Sequence, residues 1–215
     1  MTCGAECCES TTGKFFSKHS KRYARQFRKK KFEKVQRVLL ESAREAGIGG
    51  RTILDVGCGV GMLHQTLLTE GAASSTGVDM SDEMLNHARR FAAQNGLEGQ
   101  TTYVNGDIVA IRNRIKDADI TFMDKVVCCY ENLPDLLSAA AEKTRDLLAL
   151  SHPRDVWYVR WIFKLQIFIS NLFRMSFRPW WHDWKRMEAM IEIEGLRLVK
   201  RKTAGKWMVL IYRRG

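Results

Sequence analysis

The 215-residue chain reads as an α/β protein built on a doubly wound sheet, and three observations carry that reading. Ile53 to Val56 is a short apolar run suited to a strand buried on both faces. Gly57-Cys58-Gly59-Val60-Gly61 follows without a break, and a helical pattern begins next, with Leu63, Leu67 and Leu68 on one face. Strands and helical patterns then alternate, which favours parallel strands joined by crossover helices. Glycines at such a turn let backbone approach a ligand, and the following helix offers free N–H groups.

Residues 1–50 read as a basic helical extension and 51–215 as the sheet domain. Met1 to Gly13 shows no apolar periodicity and is expected to be loosely ordered. Lys14 to Ala46 reads as one or two helices, with Phe16, Tyr23, Phe27, Phe32, Val35, Val38, Leu39 and Ala43 as the apolar positions. The net charge of +11 is uneven. Residues 1–37 carry eleven Lys/Arg against three acids, 38–150 ten against sixteen, and 151–215 fourteen against five. A nucleic-acid enzyme usually places its cations around the cleft, whereas here the ends are basic and the middle acidic, so nucleic acid is not favoured. The basic helix has two readings: a solvated face packed on the sheet by its aromatics, or a contact with phosphate or anionic lipid.

The first strand and its turn are followed by Ser75 to Ser81, a second strand ending in an acid. Asp79 lies 22 residues after Gly57, where nucleotide folds place the carboxylate that accepts ribose hydroxyls. Ser81-Asp82-Glu83 caps a helix running to Asn95. Thr101 to Val104 is a third strand, followed by Asn105-Gly106-Asp107-Ile108, and Ala118 to Met123 a fourth, leaving Asp124-Lys125-Val126-Val127-Cys128-Cys129-Tyr130 at its carboxyl end. A helix over Asn132 to Leu147 and a fifth strand over Leu148 to Ser151 come next. Val156 to Trp184 holds five of the six tryptophans, with Arg160, Lys164, Asn171 and Arg174 in one narrow stripe. Segment 156–184 is therefore expected to be an apolar cover over the cleft, or a membrane-surface contact, with completion of the core as the plainer alternative. Lys185 to Ile193 is a helix, and Leu196 to Lys202 with Lys206 to Tyr212 form a hairpin.

The glycine spacing separates the nucleotide folds. A G-x-G-x-x-G fingerprint needs its third glycine at position 62, where Met62 stands, and the Walker lysine is missing. This weakens an oxidoreductase. The form present, Asp-x-Gly-x-Gly-x-Gly over Asp55 to Gly61, resembles the first motif of the class I S-adenosylmethionine-dependent methyltransferases. Asn105 to Ile108 resembles their adenine-edge motif, and the last hairpin their antiparallel end. The resemblance covers about Thr52 to Ser151 and extends loosely to the hairpin. The aromatic segment is faintly similar to the O-methyltransferases acting on magnesium protoporphyrin. It implies a Rossmann-like sheet of seven strands, mostly parallel with a C-terminal antiparallel hairpin, and S-adenosyl-L-methionine as cofactor. Asp55 with the backbone of Gly57 and Gly59 would hold its amino-acid part, Asp79 the ribose, and Met80, Asp107 and Ile108 the adenine. Cys58, Gly61, Gly106 and Asp124 complete the implied set.

Methyl transfer from a sulfonium is an in-line displacement in a dry site and needs no metal. A base for the acceptor proton is sought among Asp124, Tyr130, His152, Asp155 and His182. His152 ranks first, since histidine titrates near neutrality and this one follows a strand end; the plainer reading has it bonded to backbone beside Pro153. Cys3, Cys7 and Cys8 have a spacing compatible with a soft metal, and Cys128-Cys129 could take a metalloid acceptor, against the commoner role of cysteine as a small buried hydrophobe. The favoured function is methyl transfer to a small apolar or aromatic acceptor. The alternative is an RNA or protein methyltransferase, or a cofactor-bound regulatory protein, docking through its basic ends. With no apolar run long enough to span a bilayer, a cytoplasmic chain is expected, with a peripheral membrane contact as the further partner.

Overall fold

The computed structural model describes residues 5–173, 177 and 179–215, with side chains from Gly13 onward. Two helices, α1 (Ala5–Arg28) and α2 (Lys34–Ala46), precede the alternation β1 (Thr52–Val56), α3 (Met62–Thr69), β2 (Ser74–Asp79), α4 (Asp82–Gln94), β3 (Thr101–Asn105), α5 (Ile108–Ile111), β4 (Ala118–Met123), α6 (Leu133–Glu142) and β5 (Thr144–Pro153). The chain ends with α7 (Trp157–Leu172), α8 (Trp184–Ile193), β6 (Leu196–Ala204) and β7 (Trp207–Arg214). One seven-stranded sheet has the order β3-β2-β1-β4-β5-β7-β6, parallel except for β7, which runs antiparallel to both β5 and β6. The fold class expected from sequence is the one observed.

Strand alternation sorts the core onto the two faces of the sheet. Ile53, Ile120, Phe122, Leu147 and Ala149 meet Val35, Leu39 and Leu67 from α2 and α3. Leu54, Met123, Leu148 and Leu150 meet Leu136, Phe163 and Met187 from α6, α7 and α8. α1 leaves the sheet alone and packs on α4, with Phe27 stacked on Phe91 at 4.3 Å between ring centroids. Of the two helices, α2 is the one that packs on the sheet. The break between them holds Lys30 at φ +48.

Three boundaries differ from the sequence reading. Ala5 to Gly13 is helical, not loose, and its end is seated in a contact that no local pattern encodes: a Cβ on Gly13 would stand 2.6 Å from the Met80 carbonyl oxygen. The helix expected to run to Leu147 stops at Glu142, and β5 begins at Thr144. Arg214, seventy-three residues on, donates to the Ala141 carbonyl at 2.5 Å, while Thr144 pairs with Ala118 of β4. Distant strands therefore claim a segment that propensity assigns to helix. Arg174, the last residue of the expected polar stripe, lies outside the described residues, as does Cys3. The backbone of Cys7 and Cys8 is in α1, but their side chains are likewise outside the description.

Candidate active site

A cleft of about 390 Å³ opens at the carboxyl ends of β1 to β4 and is lined in addition by α1, α7 and Trp207. Of the residues singled out from sequence, Asp55, Gly57, Cys58, Gly59, Asp79, Met80, Gly106, Asp107, Ile108, Asp124 and Tyr130 line it. Gly61 does not; it sits behind the turn, its N–H donating to the Cys58 carbonyl at 2.9 Å.

The turn is bound to β2 by its backbone. Gly57 and Cys58 both donate N–H to the Val78 carbonyl, at 2.8 and 3.0 Å. Gly57 has φ +67, and a Cβ there would stand 2.6 Å from Val126 Cγ2, so the close approach of β1 and the β4 end requires glycine. Asp79 accepts from Gly59 N–H at 2.8 Å and Ser81 N–H at 2.9 Å. Burial pushes its carboxyl up to about 6, against the lowering pull of those two amides. Asp107 caps α5, accepting from Val109 N–H at 3.0 Å, and its other oxygen accepts from the Tyr130 hydroxyl.

Asp55 belongs to a buried chain of hydrogen bonds that runs away from the cleft. Its Oδ2 lies 2.8 Å from His64 Nδ1, His64 Nε2 lies 3.1 Å from the Tyr103 hydroxyl, and Gln65 Nε2 donates to that hydroxyl at 2.8 Å. With the Asp55 carboxylate as acceptor, each contact is satisfied when Nδ1–H donates to Asp55, Tyr103 to Nε2, and Gln65 to Tyr103. His64 is fully buried on the face of α3 that carries Leu68. Its i, i+4 relation to Leu68 was the available signal, and the sequence reading passed over it.

At the β4 end, Asp124 accepts from Ser151 Oγ at 2.8 Å, and Lys125 N–H donates to the same oxygen of Ser151 at 2.8 Å. Burial raises the Asp124 carboxyl, while Lys125 and Ser151 oppose it. Lys125 adopts φ +61, a conformation costly for a long side chain, and its ammonium is 2.8 Å from Glu33 Oε2 and 4.0 Å from Asp124 Oδ2. Burial alone would lower the lysine; the two carboxylates outweigh it and hold it above its usual value.

Over residues 53–149 the chain matches the family model described as a methyltransferase domain. The matched stretch holds the glycine turn, Asp79, Asp107 and Asp124. The ubiquinone biosynthesis O-methyltransferase of Neisseria meningitidis serogroup C is 28% identical over 156 residues, 69% of this chain and 62% of that protein. Its counterpart in Actinobacillus pleuropneumoniae is 47% identical over 100 residues, 43% of this chain and 39% of that one. The chain thus spans less than two thirds of the curated relatives it matches. Magnesium protoporphyrin IX methyltransferase (ChlM) from Synechocystis PCC 6803, with SAH bound, shares the fold at TM-score 0.69 and 21% identity, covering 84% of this chain and 82% of that one. The same Synechocystis protein is also known with SAM bound.

The fold places the candidate bases unequally. His152, ranked first from sequence, is not in the cleft: it is 3% exposed, its Nδ1 is 2.9 Å from the Pro153 carbonyl, and its ring lies 4.7 Å from Trp184. Burial lowers its pKa to about 4, so the plainer reading of His152 is the observed one. Asp155 is exposed and paired with Arg160, and His182 Nε2 is 2.9 Å from the Tyr130 carbonyl oxygen, both outside the cleft. Asp124 and Tyr130 are the two that line it.

Cys128 and Cys129 also line the cleft, 3.9 Å apart at sulfur and both directed at the Lys125 carbonyl oxygen. The neighbouring Cys128 thiol and burial push Cys129 well above the ordinary thiol range, so it is a protonated thiol at neutral pH. Among the described residues no three His, Cys, Asp or Glu side chains are grouped to hold a metal ion. The wall contributed by α7 consists of Ile162, Phe163 and Gln166; Trp157 and Trp161 are 78% and 66% exposed and line nothing. The sequence reading also missed the α1 contribution: Phe15, Phe16 and Tyr23 form cleft wall, and Ser17 Oγ is 2.8 Å from Ser81 Oγ. The spacing of those aromatics marked an apolar face without naming its target.

Proposed function

We propose that this chain binds S-adenosylmethionine in the cleft and transfers its methyl group to a small apolar or aromatic acceptor. The observation that carries this is one cleft with acids at three neighbouring strand ends, Asp55, Asp79 and Asp107, facing apolar wall from Ile162, Phe163, Phe177 and Trp207. Asp79 serves the ribose hydroxyls, the Gly57 to Gly59 backbone and Asp55 the amino-acid part, and Met80, Asp107 and Ile108 the adenine. The apolar wall excludes water and aligns the acceptor with the sulfonium methyl. Relatives named for O-methylation make a hydroxyl on an apolar ring the first acceptor class to test. As the C–S bond breaks and the O–CH₃ bond forms, the hydroxyl proton passes to Asp124, the carboxylate at the β4 end of the cleft, whose affinity for protons is raised by burial. The products are the methyl ether and S-adenosylhomocysteine.

The test is a lysate supplied with isotope-labelled S-adenosylmethionine and the purified chain. Label in a small molecule of the apolar extract is the expected result; label in RNA or protein transfers the reading to the macromolecular alternative. A pH effect follows from Asp79. Ribose hydroxyls donate to the ionised carboxylate, and the empty site holds its proton up to about pH 6. Cofactor binding therefore expels a proton below that pH, and affinity is expected to fall up to about tenfold per unit as pH drops from 6 to 5. The sign is opposite for stability: a raised carboxyl favours the unliganded fold below its unfolded value, and that contribution is lost as pH rises through about 6. Calorimetric titration with S-adenosylhomocysteine at three pH values reads the first effect, and a flat profile would remove Asp79 from the ribose.

A further inference from the structure

α7 is apolar on the side it turns to solvent. It carries no Asp or Glu, and only Val159, Phe163 and Ser170 are buried. At about 100° per residue Trp157, Trp161, Phe168 and Leu172 share one outer face, and each is more than 60% exposed. Arg160, Lys164 and Asn171 lie along one edge of that face. Such a face left in water is costly, so something covers it. At sixteen residues the helix is too short to cross a bilayer, and among the described residues no helix is long and apolar enough to do so.

We propose that α7, together with the basic face of α1, seats the protein on an anionic lipid surface. The charge on the neighbouring helix selects this occupant. α1 and α7 line the same cleft, and Phe15 of α1 stacks at 4.6 Å on Phe177, just beyond α7. The outward side chains of α1 include Lys14, Lys18, Lys21, Arg22 and Arg25, all exposed, and none is ion-paired among the described residues. Aromatic side chains at the acyl boundary with cations at headgroup level are the pattern of an interfacial helix. A second copy fits worse, because a symmetric dimer through α7 would bring two like-charged α1 helices toward each other. Surface seating would present the mouth of the cleft to an acceptor dissolved in lipid, but the proposal does not depend on which acceptor that is.

Co-sedimentation of the full chain with phosphatidylcholine vesicles, with and without roughly 30 mol% phosphatidylglycerol, tests it. The expected result is binding to the anionic vesicles at least about tenfold tighter than to the neutral ones, weakened by salt. Trp161→Ser with Phe168→Ser should reduce that binding about tenfold or more with S-adenosylhomocysteine affinity unchanged, since neither residue lines the cleft. Lys18→Glu with Arg22→Glu should reduce binding to anionic vesicles only. Equal sedimentation of the parent chain and both variants overturns the proposal. So does a dimer in size-exclusion chromatography that the α7 variant dissociates, which would assign the face to a second copy.

Discussion

Asp79→Ala is expected to weaken S-adenosylhomocysteine binding by about 2–4 kcal/mol, roughly 30- to 1,000-fold, with the fold retained. Two contributions act together. The carboxylate is the acceptor for two ribose hydroxyls in the proposed pose, and charge-assisted hydrogen bonds of that kind are the strong ones. It also fixes the glycine turn, because its two oxygens accept from Gly59 and Ser81 N–H. Removing it frees the turn that has to approach the ligand and leaves those amides without their acceptor. Asp79→Asn keeps an acceptor of similar shape, so its loss should be intermediate, and it should abolish the fall in affinity below pH 6. Calorimetry on both variants, with circular dichroism as the check on folding, measures the difference. An alanine variant that binds as tightly as the parent would place the ribose elsewhere.

His64→Leu is expected to cost about 3–5 kcal/mol of stability, measured by urea denaturation. Leucine has a comparable volume, so the cavity term is small; the cost is electrostatic. Asp55 is 2% exposed and His64 fully buried, and the ring N–H is the donor that Asp55 faces at 2.8 Å. Leucine leaves that carboxylate buried without it, and leaves the Tyr103 hydroxyl without its acceptor. Tyr103→Phe removes the two outer contacts of the same chain, with His64 Nε2 and Gln65 Nε2, leaves the bond to Asp55 in place and should cost about 1–2 kcal/mol. Cofactor affinity should fall in the leucine variant as well, because Asp55 lines the cleft and its orientation is set by the bond from behind. A leucine variant as stable as the parent would show that Asp55 is satisfied by water or by the glycine turn.

Much of the site was legible because its parts are local. Asp55 to Gly61 is a contiguous turn whose conformation is written into its glycines, and Asp79 ends, and Asp107 closely follows, a strand that its own β-branched residues announce. In an open α/β sheet such strand ends converge on one edge by topology, so three acids in the right register imply one cleft. His152 misled for the same reason in reverse. It stands at a strand end, but the side of the strand on which a side chain emerges alternates with every residue, and at this position it faces Trp184 and the core.

The sequence by itself determined the sheet, its first four strands, the glycine turn and the acids at its edge, because each rests on periodicity and turn chemistry within a few residues. Only the tertiary structure decided what those acids face. The end of α6 is set by Arg214, the seat of α1 by Gly13 against Met80, and the fixed orientation of Asp55 by His64 and Tyr103. Each of these is a contact between segments far apart in the chain. Its energy depends on distance and burial, which no local pattern contains. The exposed face of α7 belongs to the same class: its composition demanded an apolar neighbour, and only the packed structure shows that the rest of the described chain does not supply one.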